Sequence, residues 1–561
     1  MENAEMTNRR AYLDIVDAVK KYALTFISVI AALISFGICL YYILYPSQGY
    51  FHSDCTDSLL WANATVESGK VFDENFRYAA MLPFSSSLWY IPLISVFGMT
   101  MDVQLAGMAI FLVLFTAAIY FMCRSFGWSI ASSCGMISAL LLGLSGSDKL
   151  REIMWGHVIY YSLALIVICV ALGLCQRLSK DLESEKISTS KSIIFAALIA
   201  VLFAGNATNG FQVIAISTLP VIAAIFAERF FDGKTKLFSK KNLPAAANLV
   251  LIVVATALGL VLLKILKGDK IANYTSIYST FSGVSDWYGN FANFFEDYLT
   301  LIGVNASRGA ELFSKESIPY LIRMAGGALI FVLPAVRLCT YKSIRERSTK
   351  ILLWTHIAMS AVIMVGFICG RLSNANWRLT PMVGTAIMST VAIIREFFGD
   401  LKEHPVEFRL AAVLCSVLVL VCAVNASEIR KMPKDYGQDN YLHVLASDLE
   451  ERGLEYGYAT FWRSQAITVI SDSKVKCRET LVNSNGIITD YYQSSRLWYE
   501  DQPGIDKYFV ILSASEYETA QETAHWDEIT SDGSLVEQFT SGGCYVFVFN
   551  RNIILKGEFN G

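Results

Sequence analysis

The sequence predicts a polytopic α-helical membrane protein of about eleven transmembrane helices, with a soluble α/β domain at its C-terminal end on the outer face. Three observations carry that prediction. Of 561 residues, 54% are hydrophobic and only 17% are charged, and the mean hydropathy is +0.44; a soluble domain carries far more charge per apolar residue. Apolar stretches of about 17–25 residues, the length that crosses a hydrocarbon core of about 30 Å, recur along the first three quarters of the chain. Beyond about Asn425 the composition changes to that of a soluble α/β domain.

The spans fall, in order, at roughly 22–45, 102–123, 128–145, 157–176, 192–205, 211–227, 244–266, 318–337, 351–369, 380–395 and 410–424. Lys and Arg orient them. Arg9, Arg10, Lys20 and Lys21 precede the first span, and Lys180, Lys186 and Lys191 separate the fourth from the fifth. Lys234, Lys236, Lys240 and Lys241 follow the sixth, and Lys342, Arg345, Arg347 and Lys350 follow the eighth. With eleven spans these clusters all fall on one side, which the positive-inside rule makes cytoplasmic. The N-terminus is then inside, the C-terminal domain is extracytoplasmic, and the expected location is a bacterial inner (plasma) membrane. The first apolar run is too long for a signal-peptide core, and residues 41–46 are bulky where a cleavage site needs small ones.

Residues 1–424 read as a membrane body with an outer loop at 46–101. Within that loop, 54–68 reads as an amphipathic helix stopped by Gly69. Residues 84–98, interrupted by Pro92, read as an interfacial helix with Trp89 and Tyr90 at headgroup depth. The segment 268–317 reads as a long loop rich in aromatic and amide side chains. Loops of that length are commonly lids or binding loops, and such side chains suit a sugar; an interfacial aromatic belt would have the same composition. Residues 425–561 read as the soluble α/β domain, with a helix over 439–452 and strands at 458–461, 508–512 and 544–549. The twelve Cys lie mostly in spans, where they act as small apolar residues; Cys477 and Cys544 could pair in an oxidising compartment. The sequence has no CxxC pair and no metal-ligand cluster. It has no glycine-rich nucleotide loop, and nothing in it points to nucleic acid.

Three constellations could carry chemistry. Asp54, Asp57 and Trp61 are spaced i, i+3, i+7 and share a helix face. A carboxylate there can act as general base toward a hydroxyl, although an acid at a helix start also serves as a cap. At 146–157, Asp148, Lys149, Arg151, Glu152 and His157 gather at the entry to the fourth span; they can orient a substrate or compensate one another as i, i+3 and i, i+4 pairs. At 370–381, Arg371 and Arg378 have no acid nearby in sequence. Guanidinium groups bind phosphate bidentately, and they also snorkel to lipid headgroups. All three constellations belong to outer segments, the arrangement needed to hold a lipid-linked anionic donor and deprotonate an acceptor.

The order of these elements resembles the GT-C superfamily of integral-membrane glycosyltransferases, in particular its protein-mannosyltransferase and aminoarabinose-transferase branch. The resemblance covers about residues 10–180 and, more weakly, 351–395. It rests on Asp54-Cys55-Thr56-Asp57 after the first span, the helix to Ser68, Leu82-Pro83-Phe84 leading toward the second span, the acidic run from Asp148 to Glu152, and Arg378-Leu379-Thr380-Pro381. The sequence departs from the pattern in two places: two residues separate the acids, which are usually adjacent, and Met81-Leu82-Pro83 has a single proline without a preceding basic residue.

The resemblance implies an inverting transfer of a sugar from a polyprenyl-phosphate-linked donor to a hydroxyl of a glycan, lipid or protein acceptor. In that scheme Asp54 or Asp57 takes the proton and Arg371 and Arg378 stabilise the leaving phosphate. Asp148, Arg151, Glu152, His157 and Trp61 bind substrate. Some members use a divalent metal; no ligand set in the sequence requires one. A lipid-linked polysaccharide flippase and an O-antigen ligase or polymerase are the alternative readings.

Overall fold

A computed structural model describes residues 2–78, 85–184, 188–231, 239, 242–267, 280–305, 309, 311–371, 375–399, 404–435, 437 and 440–557. Residues 81–83, 268–279, Lys186, Lys234, Lys236, Lys240 and Lys241, which figure in the sequence reading, lie outside the described residues.

Every apolar stretch forms a helix. The membrane body runs through α1 (Glu2–Leu44), α2 (Asp57–Ser68), α3 (Ser87–Phe97), α4 (Met101–Ser125), α5 (Ile130–Gly143), α6 (Tyr160–Leu182), α7 (Thr189–Ala207), α8 (Leu219–Phe230), α9 (Leu243–Lys267), α10 (Trp287–Leu301), α11 (Ile318–Cys339), α12 (Arg347–Ile368), α13 (Thr380–Phe397) and α14 (Pro405–Lys431). Among the described residues, ten helices are long and apolar enough to cross a membrane. The third expected span is bent by 119° between Ile130–Gly143 and Asp148–Gly156; counted as one span, it brings the number to eleven. The spans of α6 and α13 are 72% and 83% buried, so these helices are central, whereas α1 and α14 leave most of their apolar surface outward, as lipid-facing helices must.

The bend has a physical cause. Gly146 lies so close to α10 that an added Cβ would fall 2.6 Å from the Ile302 carbonyl oxygen, and one on Gly303 would fall 2.0 Å from that of Gly146. Only glycine permits such contact, and Gly303 also needs it for its φ of +89°. The backbone groups released by the break find partners: Asn425 donates to the Leu142 carbonyl at 2.8 Å, Arg151 to that of Ser145 at 2.9 Å, and Ser147 caps the next turn at Leu150.

Three expectations are corrected. The acidic loop begins with a 3-10 turn at Ser53–Thr56, and the helix proper starts at Asp57 rather than 54. Tyr90 is not an exposed interfacial ring: it is buried against Gly107 of α4, with its hydroxyl donating to Gln104 Oε1 at 3.0 Å. The segment 268–317 is not structureless, because α10 occupies its middle and buries Phe294, Tyr298 and Leu301.

The C-terminal region is an α/β sheet domain. It comprises α15 (Tyr441–Glu451), β1 (Tyr456–Ala459), α16 (Phe461–Ile470), β2 (Lys476–Asn483), β3 (Gly486–Thr489), β4 (Tyr508–Leu512), α17 (Ala514–Gln521), α18 (Ala524–Ser531), β5 (Leu535–Ser541) and β6 (Cys544–Phe549). The six strands are ordered β3-β2-β1-β4-β6-β5, with β1 parallel to β2 and β4 and the other pairs antiparallel. Cys477 on β2 and Cys544 on β6 are free thiols; three strand spacings separate them, about 14 Å, beyond the reach of a disulfide.

This domain is sewn to the first loop of the membrane body. Phe51, Leu59, Trp61, Phe76 and Ile94 share one hydrophobic core with Leu445, Ile467 and Phe509. Phe76 and Ser495 form an antiparallel bridge, flanked by Arg77 N donating to Ser494 O at 3.0 Å and Arg496 N donating to Asn75 O at 2.9 Å.

Candidate functional site

A cavity of about 380 Å³ lies at the seam of these two regions. Five of the nine residues given a role from the sequence line it together: Asp54, Asp57, Trp61, Glu152 and His157. His52, Lys149, Ile153, Ile159, Tyr160, Tyr161, Gln212, Trp377, Trp462 and Tyr492 complete the wall. A larger hollow of about 650 Å³, bordered by Phe231, Tyr341, Lys342 and Trp354, lies at the other ends of the helices and has no acid in its lining among the described residues.

Local sequence explains how each side chain is held. The 3-10 turn carries Asp54, and the α2 start carries Asp57 where the helix dipole favours an acid. Ser58, one residue on, donates to the Val158 carbonyl at 2.7 Å and pins this turn to the entry of α6. Trp61 stands one helical turn further on. It is buried, and its Nε1 has no hydrogen-bond partner among the described residues.

The electrostatics are uneven. Glu152 is surrounded by cations and donors: Lys149 Nζ at 2.6 Å, His52 Nε2 at 3.5 Å and His157 Nε2 at 3.7 Å. Lys149 also lies over the Trp377 ring at 5.2 Å. Asp57 has less support, a hydrogen bond from Gln493 Nε2 at 2.9 Å. Its carboxyl is pushed well above the usual range, first by burial and then by the charge of Asp54; Gln493 and His52 pull the other way. Burial opposes a charge on His52, but Cys55 and Glu152 beside it outweigh burial and raise its proton affinity.

The other four predicted site residues lie apart from this lining. Arg151 is fully buried in a clamp, bonded to Asp148 at 2.5 Å and Glu428 at 3.3 Å; Glu428 also pairs with Arg323, whose Nε donates to Asn425 at 2.9 Å. Asp148 and Arg151 thus compensate one another and tie the bent span to α11 and α14. Arg371 is exposed, its backbone N donating to the Thr280 carbonyl at 3.2 Å. Arg378 is half-buried next to Trp377, close enough to Tyr160 for its charge to act on that phenol. Asn374 of the same run lies outside the described residues.

Sequence reasoning missed Gln493, Tyr492, Trp462 and His52. His52 was within reach, two residues before Asp54. The other three come from the sheet domain and carry no motif. Among the described residues no group of three or more His, Cys, Asp and Glu is placed to hold a metal ion. Lys149 Nζ holds Glu152, the most convergent acid, at 2.6 Å, where a cation would have to sit, so a divalent metal does not fit there.

No protein-family model matches the chain, and no curated protein matches it in sequence. Solved structures do match. ArnT from Cupriavidus metallidurans in the apo state aligns with a TM-score of 0.53 at 11% identity, covering 95% of this chain and 98% of that one. The same protein bound to undecaprenyl phosphate gives 0.52 at 12% identity, with 94% and 98% covered. This chain has the GT-C fold. The apo oligosaccharyltransferase of Archaeoglobus fulgidus aligns at a TM-score of 0.46 and 13% identity; the match covers 82% of this chain but only 64% of that longer protein. At such identities the likeness is one of fold. Within this GT-C fold, the cavity lies where the first loop, the bent third span and the sheet domain converge.

Proposed function

We propose that the chain is a membrane glycosyltransferase that moves a sugar from a polyprenyl-phosphate-linked donor to an acceptor hydroxyl, with inversion, at the outer face of a bacterial inner membrane. The observation that carries this reading is the pair Asp54 and Asp57 set side by side in an aromatic-walled cavity. The near-total alignment with ArnT, a protein solved with undecaprenyl phosphate bound, supports the donor class. The clustering of Lys and Arg at one end of the helices supports an extracytoplasmic sheet domain.

In the reaction, the acceptor hydroxyl gives its proton to Asp57 as its oxygen bonds to the anomeric carbon. The bond from that carbon to the phosphate oxygen breaks, and its electron pair leaves with polyprenyl phosphate. Asp57 suits the base role because burial and the neighbouring Asp54 charge raise its proton affinity. Asp54 acts through its charge on Asp57. Lys149, over the Trp377 ring, and Arg378, whose charge reaches Tyr160 of the cavity wall, balance charge developing on the phosphate. Trp61, Tyr160, Trp377 and Trp462 offer ring faces and polar edges to sugars, while Glu152 and His157 orient their hydroxyls. Arg371, Asp148 and Arg151 have no part in the step.

The test is release or transfer from a panel of labelled polyprenyl-phosphate sugars by the purified protein in detergent, wild type against Asp57→Asn. Donor consumption that vanishes in the folded variant supports the reading. Consumption unchanged in the variant, or no consumption of any donor by wild type, overturns it.

A further inference from the structure

Gln493 is hard to explain as part of the fold. It is buried and lies between Asp490 and Arg496 on a loop after β3, yet its φ is +53°, a left-handed conformation uncommon for a residue other than glycine, asparagine or aspartate. Its Nε2 reaches across 436 positions of sequence to Asp57 Oδ1 at 2.9 Å, and its Oε1 is buried without a hydrogen-bond partner among the described residues. A strained backbone and a half-matched buried amide both oppose stability. Strain of this kind persists only where the surroundings over-determine it.

Those surroundings are present. Tyr492 N donates to Asp490 Oδ1 at 3.0 Å, and Ser494 Oγ to the Asp490 carbonyl at 2.5 Å. The Phe76–Ser495 bridge and the bond from Arg496 Nε to Asn75 Oδ1 at 2.7 Å hold the far side of the loop against the membrane body. Gln493 is therefore aimed at Asp57 from a scaffold fixed at both ends.

We propose that Gln493 is a positioning residue for transfer: from the sheet domain it supplies the hydrogen bond that orients Asp57, so the site is incomplete without that domain. This rests on the reading of Asp57 as proton acceptor. The titratable groups that act on Asp57 are Asp54 and His52 from its own loop, Tyr160 from α6 and Glu479 from β2. Against that background, loss of a donor to the carboxylate raises its proton affinity, and the acidic limb of the rate profile moves to higher pH.

The deciding variant of the full-length protein is Gln493→Asn. It is one methylene too short to reach Asp57, and asparagine adopts left-handed φ more readily than glutamine, so folding should be preserved. The expected result is kcat reduced tenfold or more, donor KM within twofold of wild type, the acidic limb shifted to higher pH, and an unchanged or raised unfolding temperature. Gln493→Glu, which sets a like charge beside Asp57, should shift the limb further. A wild-type kcat and pH profile in Gln493→Asn overturns the proposal while leaving Asp57 in its role if Asp57→Asn is inactive. Full activity in Asp57→Asn overturns both.

Discussion

Two sets of charged residues lie within one short run, 148–157, and end in opposite situations. Asp148 and Arg151 close on Glu428 and Arg323 in a clamp whose charges are matched. Lys149, Glu152 and His157, on another face of the same bent segment, line a cavity in which the cationic partners gather on Glu152 and Asp57 is left with an amide donor. The clamp is what a membrane protein needs to bury a break in a helix. The cavity keeps Asp57 in a state that folding alone would not favour. Charge in a sequence therefore says less than charge balance in space: the compensated group fixes the frame, and the uncompensated one is where we propose the chemistry.

Breaking the cavity should have the largest effect on rate. Asp57→Asn is expected to lower transfer by about 10³-fold, in the range for loss of a general base, while donor binding in a filter assay is unchanged. The same variant should unfold at a higher temperature at pH 7. The folded-state proton affinity of Asp57 is raised above its ordinary value near 4. The stability tied to its protonated form is thus full below that value and is lost as pH rises toward the raised one; asparagine escapes that loss. A melting temperature below wild type would show that the carboxylate is structurally matched after all.

Breaking the clamp should have the converse effect. Arg323→Ala leaves Glu428 with Arg151 alone; removing one partner of a buried pair costs roughly 3–5 kcal/mol, and because Glu428 is 38% exposed we expect about 2–3 kcal/mol. Denaturation would read that loss, with kcat per folded molecule preserved. A variant of wild-type stability but little activity would move the clamp into the reaction.

Two finer changes sharpen the contrast. Asp54→Asn removes the charge that raises Asp57, so the acidic limb should move to lower pH and kcat fall by about 10–100-fold; an unmoved limb would separate the two carboxylates. Arg378→Ala should raise donor KM by about tenfold, the scale of one charge-assisted contact, and an unchanged KM would return Arg378 to lipid headgroups.

The legible part of this protein is what repeats or alternates. Each apolar stretch announced its helix, and the uniformly apolar strands β4 and β6 announced themselves too. β2 did not, because it buries Arg478, Glu479 and Thr480 in place of apolar residues. β5 alternates half-buried and exposed positions as an edge strand, over residues too polar to be noticed. Asp54, Asp57, Trp61, Glu152 and His157, which line one cavity, stood out as candidates because each lies in a short local pattern beside a span. Arg151 shares the pattern of Glu152, and only its partner Glu428, 277 positions away, decides that it turns inward. Trp462 and Gln493 reach the cavity through tertiary packing, which leaves no local trace.

The break in the third span also determines where the chain can change length. An added residue at 144–147 falls in a link that is not helical, where extra chain can be looped out, provided Gly146 keeps its contact with Ile302. The same insertion between Lys149 and Glu152 would turn everything beyond it by about 100°. Glu152 would swing away from His52, and the clamp and the cavity would lose their common phase. Insertions and deletions accepted in homologous chains should therefore collect on the link and stop abruptly at Asp148.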